Sequence, residues 1–326
     1  MGAFRKEEKK AMHRTEVAVI GVGSLGRQHA RIYSQLDQVR LLGVADTVPE
    51  RADQVAREFD TQAFYDPFQL IGRVEAVSLV VPTALHAALG VEFLRGGSDV
   101  LVEKPLAADL AGADALLETA ESLGRILQVG HVERFNPVLS AVLPAIRRPR
   151  FFEGHRLGVF VPRSLDIDVI LDLMIHDLDL VLWMTADRIV DIRAVGIPIL
   201  TPRVDIANAR LEFENGCVAN LTASRVSRDR VRKLRLFQFH DYISLDFHAK
   251  TVEMYSLETQ GGERTVVERS PVVKDVEPLR EELEAFINTV RGEPARQEVC
   301  SGEQGRSALE LALRVVDVSR RNLQRM

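Results

Sequence analysis

Cysteine is nearly absent: Cys217 and Cys300 stand alone in 326 residues, with no CxxC and no cluster that could hold zinc. A disulfide-stapled fold is excluded, no metal is expected, and a reducing compartment suffices, so the cytoplasm is the expected location. No stretch approaches the ~20 apolar residues that a membrane span needs, so no membrane partner is expected. Low-complexity tracts and internal repeats are missing as well. Neither sign of charge dominates, with 42 Lys and Arg against 47 Asp and Glu for a net charge of −5, which argues against a general nucleic-acid binder. Residues 1–14 carry five basic and two acidic side chains without the apolar run of a signal peptide, and are expected to be a mobile, charged lead-in. What remains is ordinary globular composition, 46% hydrophobic and 27% charged, and enough chain for two domains.

The first half alternates between two periods. Short apolar runs at 17–20, 41–45, 76–81, 100–102 and 126–129 are each separated by a helical pattern, at 25–36, 49–59, 84–95 and 110–123. Strands that read as continuous apolar runs between helices indicate a parallel sheet buried on both faces. A doubly wound α/β Rossmann domain is therefore predicted over 15–130. The second half, 131–326, carries one strong helix at 169–184, then strand-like runs at 189–196, 206–213, 217–224, 234–239, 242–247 and 251–257. Asn215-Gly216 between two of these is a hairpin signal. Helices at 279–290 and 303–322 close the chain. The prediction is an α+β domain with a large, mostly antiparallel open sheet. Its second face would be covered by another subunit, giving a homodimer or homotetramer.

Gly21-Val-Gly23-Ser24-Leu25-Gly26 fits GxGxxG, follows a predicted strand and opens a helix, and Asp46 closes the next strand 20 residues after Gly26. In that context the pattern is specific for a dinucleotide. The first glycine permits the tight turn, the second admits the pyrophosphate, and the third lets helix pack on strand. The helix N-terminus supplies N–H groups for the phosphates. Asp46 would accept from the ribose hydroxyls and repel a 2′-phosphate, so NAD is the expected cofactor. A ligand-free glycine turn and a flavin site are the competing readings.

Glu103-Lys104-Pro105 follows the fourth strand directly, at the sheet edge where ligands bind in open α/β folds. A lysine there can hydrogen-bond a substrate hydroxyl and lower its pKa as a hydride leaves. Asp172 and His176 lie four apart on the strong helix, hence one turn apart on one face. Among Leu171, Leu173, Ile175, Leu178 and Val181 such a pair is costly unless paired or used. It reads either as a base with its orienter or as a structural hydrogen bond. Asp177 and Asp179 are read as lying on a solvated or capping face.

These motifs occur in one order: GxGxxG, the acid after the second strand, Pro82-Thr83 with His86, Glu103-Lys104-Pro105, and Asp172-xxx-His176. Together they resemble the glucose–fructose oxidoreductase / inositol dehydrogenase family of NAD(P)-dependent oxidoreductases, from Thr15 to the C-terminus. The resemblance implies that Lys104 contacts substrate and cofactor, that Asp172 and His176 flank the reacting carbinol, and that Pro82, Thr83, His86 and Glu103 belong to the cofactor site. It also implies oligomerisation through the open sheet. Two departures stand out: Asp168-Val-Ile170 where many members are glycine-rich, and Met174 where many have glycine. The stretches 130–137 and 168–176 look most like the branch whose enzymes oxidise C3 of UDP-N-acetylglucosamine for a partner aminotransferase. A pyrophosphate needs cationic donors, for which Arg156, Arg163 and the run Arg225, Arg228, Arg230, Arg232, Lys233 and Arg235 are candidates. Arg134 and Asn136, after the fifth strand, are expected contacts of substrate or nicotinamide. His131 could equally be a strand-end residue. The basic run at 225–235 reads as a solvated strand edge. The expected activity is NAD-dependent oxidation of a secondary sugar hydroxyl on Lys104, Asp172 and His176. An inositol or free-sugar dehydrogenase and a non-catalytic NAD(H) sensor are the alternatives.

Overall fold

The computed structural model describes residues 13–161, 167–260 and 263–324; Arg163 and the lead-in up to residue 12 lie outside the described residues. The chain divides into two compact units, one of residues 1–130 and 279–305, the other of 131–278 and 306–326.

The first unit is built on six parallel strands: β1 (Thr15–Ile20), β2 (Val39–Ala45), β3 (Gln62–Phe64), β4 (Ala76–Leu79), β5 (Asp99–Glu103) and β6 (Leu127–Gly130). Their order is β3-β2-β1-β4-β5-β6, the doubly wound Rossmann arrangement. All four residues of β4 are buried, as a strand covered on both faces requires. Between the strands lie α1 (Ser24–Tyr33), α2 (Pro49–Glu58), α3 (His86–Arg95) and α4 (Leu110–Leu123). The order reverses between β1 and β4. The carboxyl ends of those two strands carry the Gly21–Gly26 loop and the Pro82–Thr83 segment, so the fold sets both motifs at its ligand-binding edge. Residues 279–305 belong here and not with the second half of the chain as read from sequence, because Leu283, Phe286 and Ile287 are fully buried against Val17, Ile32 and Tyr33.

The second unit holds eight strands. They are β7 (Phe151–Leu157), β8 (Ile189–Ile197), β9 (Ile206–Phe213), β10 (Val218–Ser224), β11 (Val231–Gln238), β12 (Asp241–Asp246), β13 (Thr251–Gln260) and β14 (Glu263–Arg269). Their order is β14-β13-β12-β11-β7-β10-β9-β8, antiparallel throughout except for β7 beside β10. A short helix α5 (Pro137–Val142) precedes β7, and α6 (Ile175–Thr185) precedes β8. Later in the chain come α7 (Pro278–Val290) and α8 (Gly302–Leu323). One sheet face packs Leu211, Leu221, Leu234 and Leu236 against Leu178 and Val181 of α6 and Leu311 and Val315 of α8. Strand β7 has no predicted counterpart. Its inward positions are Phe152, Gly154 and Arg156, which break the apolar alternation that marks a strand. No helix among the described residues is long and apolar enough to cross a membrane.

Candidate active site

The loop after β1 shows why each glycine is there. Gly21 has φ of 84°, and a Cβ on it would stand 2.4 Å from the Val80 carbonyl oxygen. At Gly26 a Cβ would stand 1.8 Å from the Gly21 oxygen, so these two glycines close the strand–turn–helix junction. Around Gly23 the space is open, with nothing within 4 Å of a Cβ. This is the approach a pyrophosphate needs. Helix α1 starts at Ser24 with Gly23 at its cap, no capping side chain and no acid in its first turn, so its positive end is not offset locally. Leu25 beside it is exposed. The carboxylate of Asp46 accepts from the Val22 and Val48 amides, each at 2.9 Å, and lies 3.2 Å from the Arg51 guanidinium. These residues fit a dinucleotide. Arg51, which sequence reasoning passed over, puts a half-exposed cation beside that acid.

The loop after β5 is held from two sides. His86 is buried, with Nδ1 2.9 Å from the Pro105 oxygen and Nε2 2.9 Å from the Val81 oxygen. Its ring therefore ties the Glu103-Lys104-Pro105 loop to the end of β4 behind Pro82 and Thr83. Burial lowers its pKa below the usual imidazole value, against the opposing pull of the two carbonyls. On the other side, His29 of α1 is fully buried with Nε2 3.2 Å from Glu103 Oε1. Glu103 faces Gly130 in the β5–β6 register, and a Cβ on Gly130 would come within 2.8 Å of that same oxygen. The Lys104 amide donates to Glu103 Oε2 at 3.3 Å. Glu103 is thereby a fixed foundation for the lysine, and His29, invisible as a site residue in sequence, is its partner.

In the second unit the predicted helix at 169–184 is not uniform. Residues Ile170–Met174 wind as a π-helix before α6 begins, so Asp172 sits in a wider turn than the spacing of four implies. Such turns recur at functional sites because they re-aim one side chain without ending the helix. Asp172 and His176 are both half-buried, and the His176 ring lies 6.3 Å from that of buried His131, edge to face. The two neighbouring aspartates are not on a solvated face. Asp177 and Asp179 are 2% and 1% exposed. Asp179 takes both oxygens to Arg134, at 2.6 and 2.8 Å, and lies 3.6 Å from His131 Nδ1. Asp177 takes Arg156 at 2.8 and 3.0 Å, and Arg156 also donates to Glu133 at 2.7 Å.

These pairs change the picture of the expected substrate contacts. Arg134 is buried, bidentate on Asp179 and stacked over Trp183 at 5.0 Å, so its guanidinium braces α6 from below. Asn136 caps α5 through the Val138 amide at 3.3 Å and donates to Glu133. Both therefore have structural duties that fully account for their burial. Arg156 has the same kind of support, yet it also lines an open cavity of about 70 Å³ with Asp172, Leu173, Arg225, Arg230 and Arg232. The basic run is thus not a uniform solvated edge: its members at 225, 230 and 232 face this cavity. The Asp168 carboxylate accepts from the Val204 amide at 3.0 Å and from Arg320 at 2.8 Å.

Two family models match the chain: "Oxidoreductase family, NAD-binding Rossmann fold" over residues 15–131, and "GFO/IDH/MocA C-terminal domain" over residues 147–238. The chain belongs to this oxidoreductase family. It is 41% identical to UDP-N-acetylglucosamine 3-dehydrogenase of Acidithiobacillus ferrooxidans over 91% of this chain and 95% of that one. A solved structure of that relative superposes with a TM-score of 0.87 at 40% identity, covering 94% of this chain and 98% of the other. It is also 29% identical to scyllo-inositol 2-dehydrogenase (NAD(+)) of Bacillus subtilis over 66% of this chain and 68% of that one. As a GFO/IDH/MocA oxidoreductase it carries an NAD-binding Rossmann domain, for which Gly21, Gly23, Gly26 and Asp46 have the fitting geometry.

Proposed function

We propose that this oxidoreductase oxidises the C3 hydroxyl of UDP-N-acetylglucosamine with NAD, giving a 3-keto nucleotide sugar that a pyridoxal-phosphate aminotransferase would convert to the 3-amino sugar. The likeness to the Acidithiobacillus dehydrogenase along nearly the whole of both chains carries this reading. The site chemistry supports it. Lys104, on the loop fixed by Glu103 and His86, hydrogen-bonds the reacting hydroxyl and favours its alkoxide. His176 takes the hydroxyl proton at its imidazole, and Asp172 orients that ring and offsets the positive charge that develops. Thr83 and Pro82, after β4, would help to hold the cofactor, and NAD would supply the hydride acceptor. The two cysteines are buried thiols outside any disulfide, in keeping with action in the cytoplasm.

The test is to mix the protein with NAD or NADP and a panel of nucleotide sugars, free hexoses and cyclitols, and to follow the reduced cofactor by its absorbance. UDP-N-acetylglucosamine is expected to outperform free N-acetylglucosamine and inositol by about tenfold or more in kcat/KM, the worth of one charge-assisted contact to the diphosphate, and the product should be trappable as a 3-amino sugar. The inositol dehydrogenase likeness favours a second reading, cyclitol oxidation. If inositol wins in this assay, that reading replaces the nucleotide-sugar one.

A further inference from the structure

Strands β7 and β11 put two arginines directly opposite one another: Arg156 pairs with Arg232 in the antiparallel register. Like charges in facing positions repel, so a sheet keeps such a pair only where something negative sits between them. Glu133 is that group for Arg156, at 2.7 Å, but Arg232 reaches the same oxygen only at 3.9 Å. Asp177 is bonded to Arg156 through both oxygens, and no hydrogen bond to it from Arg232 is formed among the described residues. Arg230 then adds a third cation to the cavity and makes no ion pair among the described residues. Arg225, by contrast, is anchored: it donates to the Ile167 and Val204 carbonyls and lies 3.4 Å from Asp205.

The cavity therefore has two supported arginines in its wall and two, Arg230 and Arg232, for which no carboxylate among the described residues lies nearer than Glu133, 3.9 Å from Arg232. The guanidinium of Arg232 is pushed below its usual pKa, first by burial and then by the charge of Arg156. This is the environment that a bound anion relieves, since it offers charge-assisted, bidentate hydrogen bonds to both forks at once. Asp172 lines the same cavity, which sets this anion site beside a residue of the reaction proposed above.

We propose that Arg230 and Arg232 form the diphosphate subsite of the substrate pocket, gripping the pyrophosphate bridge of a nucleoside-diphosphate sugar. The inference deepens the function proposed above and rests on it. It takes the pyrophosphate reading of the basic run over the solvated-edge one, and it gives that duty to Arg230 and Arg232 and not to Arg156.

The experiment is calorimetric titration of the full-length protein, without NAD, with UDP, UMP and inorganic pyrophosphate, beside NADH kinetics with UDP-N-acetylglucosamine. The variants are Arg230→Ala, Arg232→Ala and Arg232→Lys, with Arg188→Ala, an exposed residue paired with Glu214, as the charge control. Arg230 is exposed, so its removal leaves the fold intact, and thermal unfolding verifies this for each protein. Each alanine should weaken UDP binding about tenfold or more, the loss of one charge-assisted hydrogen-bonded group. UMP should bind weakly to wild type and lose little further, and pyrophosphate should compete with UDP. KM for the UDP-sugar should rise in parallel, Arg232→Lys should retain part of the affinity that Arg232→Ala loses, and Arg188→Ala should match wild type. Unchanged UDP affinity and KM in a folded Arg230→Ala, Arg232→Ala double variant overturn the subsite while leaving the proposed reaction standing. Arginine-dependent UDP binding in an enzyme that oxidises no UDP-sugar upholds the subsite and overturns the reaction.

Discussion

Asp46 and Arg51 are 3.2 Å apart and oppose one another in cofactor choice. The carboxylate would accept from ribose hydroxyls and repel a 2′-phosphate, whereas the arginine would attract one. Asp46→Ala should weaken NAD binding and narrow any advantage over NADP, while Arg51→Ala should widen it by about tenfold, the worth of one charge-assisted contact. The ratio of kcat/KM for the two cofactors measures both, and equal ratios in all three proteins would remove the pair from cofactor selection. His29 acts at one remove. With His29→Phe the Glu103 carboxylate loses its buried partner, at a cost of about 1–3 kcal/mol. Because Lys104 follows Glu103 directly, kcat should fall while the NAD dissociation constant stays near wild type, and His29→Gln should restore part of it. His86 gives a pH signature. Its folded pKa is depressed, so below the ordinary imidazole value of about 6.5 the unfolded chain takes a proton that the fold resists. The stability contributed by neutral His86 is complete above that pH and declines as pH falls. Thermal unfolding followed from neutral pH down through about pH 5 should therefore show a steeper acid loss in wild type than in His86→Gln.

At the scale of elements, the segment from the π turn into α6 presents two kinds of carboxylate. Asp177 and Asp179, buried, hold the arginines that anchor the helix; Asp172, half-buried, lines the cavity beside Arg156. Hydropathy cannot separate the two kinds, since all three sit among leucines and isoleucines. The difference arises from partners brought from residues 131–136 and from β7. Removing one partner of a buried pair leaves an uncompensated charge, so Asp179→Asn or Arg134→Met should destabilise the protein by about 3–5 kcal/mol. An apolar double replacement should recover most of that. Denaturant unfolding provides the comparison, and additive losses in the double variant would mean that the two residues are not coupled.

On the molecular scale, the outer face of the eight-stranded sheet carries a row of aromatic rings. Phe151, Phe237, Tyr242 and Tyr255 stand on successive strands with centroids 5.5, 5.2 and 5.9 Å apart. They are partly exposed, and Tyr255 is 37% so. A continuous apolar stripe of this kind on a sheet face is where a second copy would pack, which supports the homodimer or homotetramer proposed from sequence. Phe237→Glu with Tyr242→Glu should shift the mass seen by light scattering to a smaller species. An unchanged mass in the folded variant would place the subunit contact elsewhere.

Periodicity and glycine spacing alone determined the Rossmann unit and its strand–turn–helix junction at Gly21 and Gly26, because a parallel sheet writes its burial into consecutive apolar residues and its tight turn into fixed glycines. They also determined the hairpin at Asn215-Gly216, where Gly216 has φ of 79°. The resemblance carried by Lys104, Asp172 and His176 reached the family. Only the tertiary structure decided which charged residues brace the fold and which face a cavity. It buried Asp177, Asp179, Arg134 and Asn136 in local pairs, tied His29 to Glu103, and set Arg232 opposite Arg156. It also returned residues 279–305 to the first unit. Each of these depends on partners far apart in the chain, and a charge looks the same in sequence whether its counter-ion is water, a ligand or a carboxylate 45 residues away, as Asp179 is from Arg134.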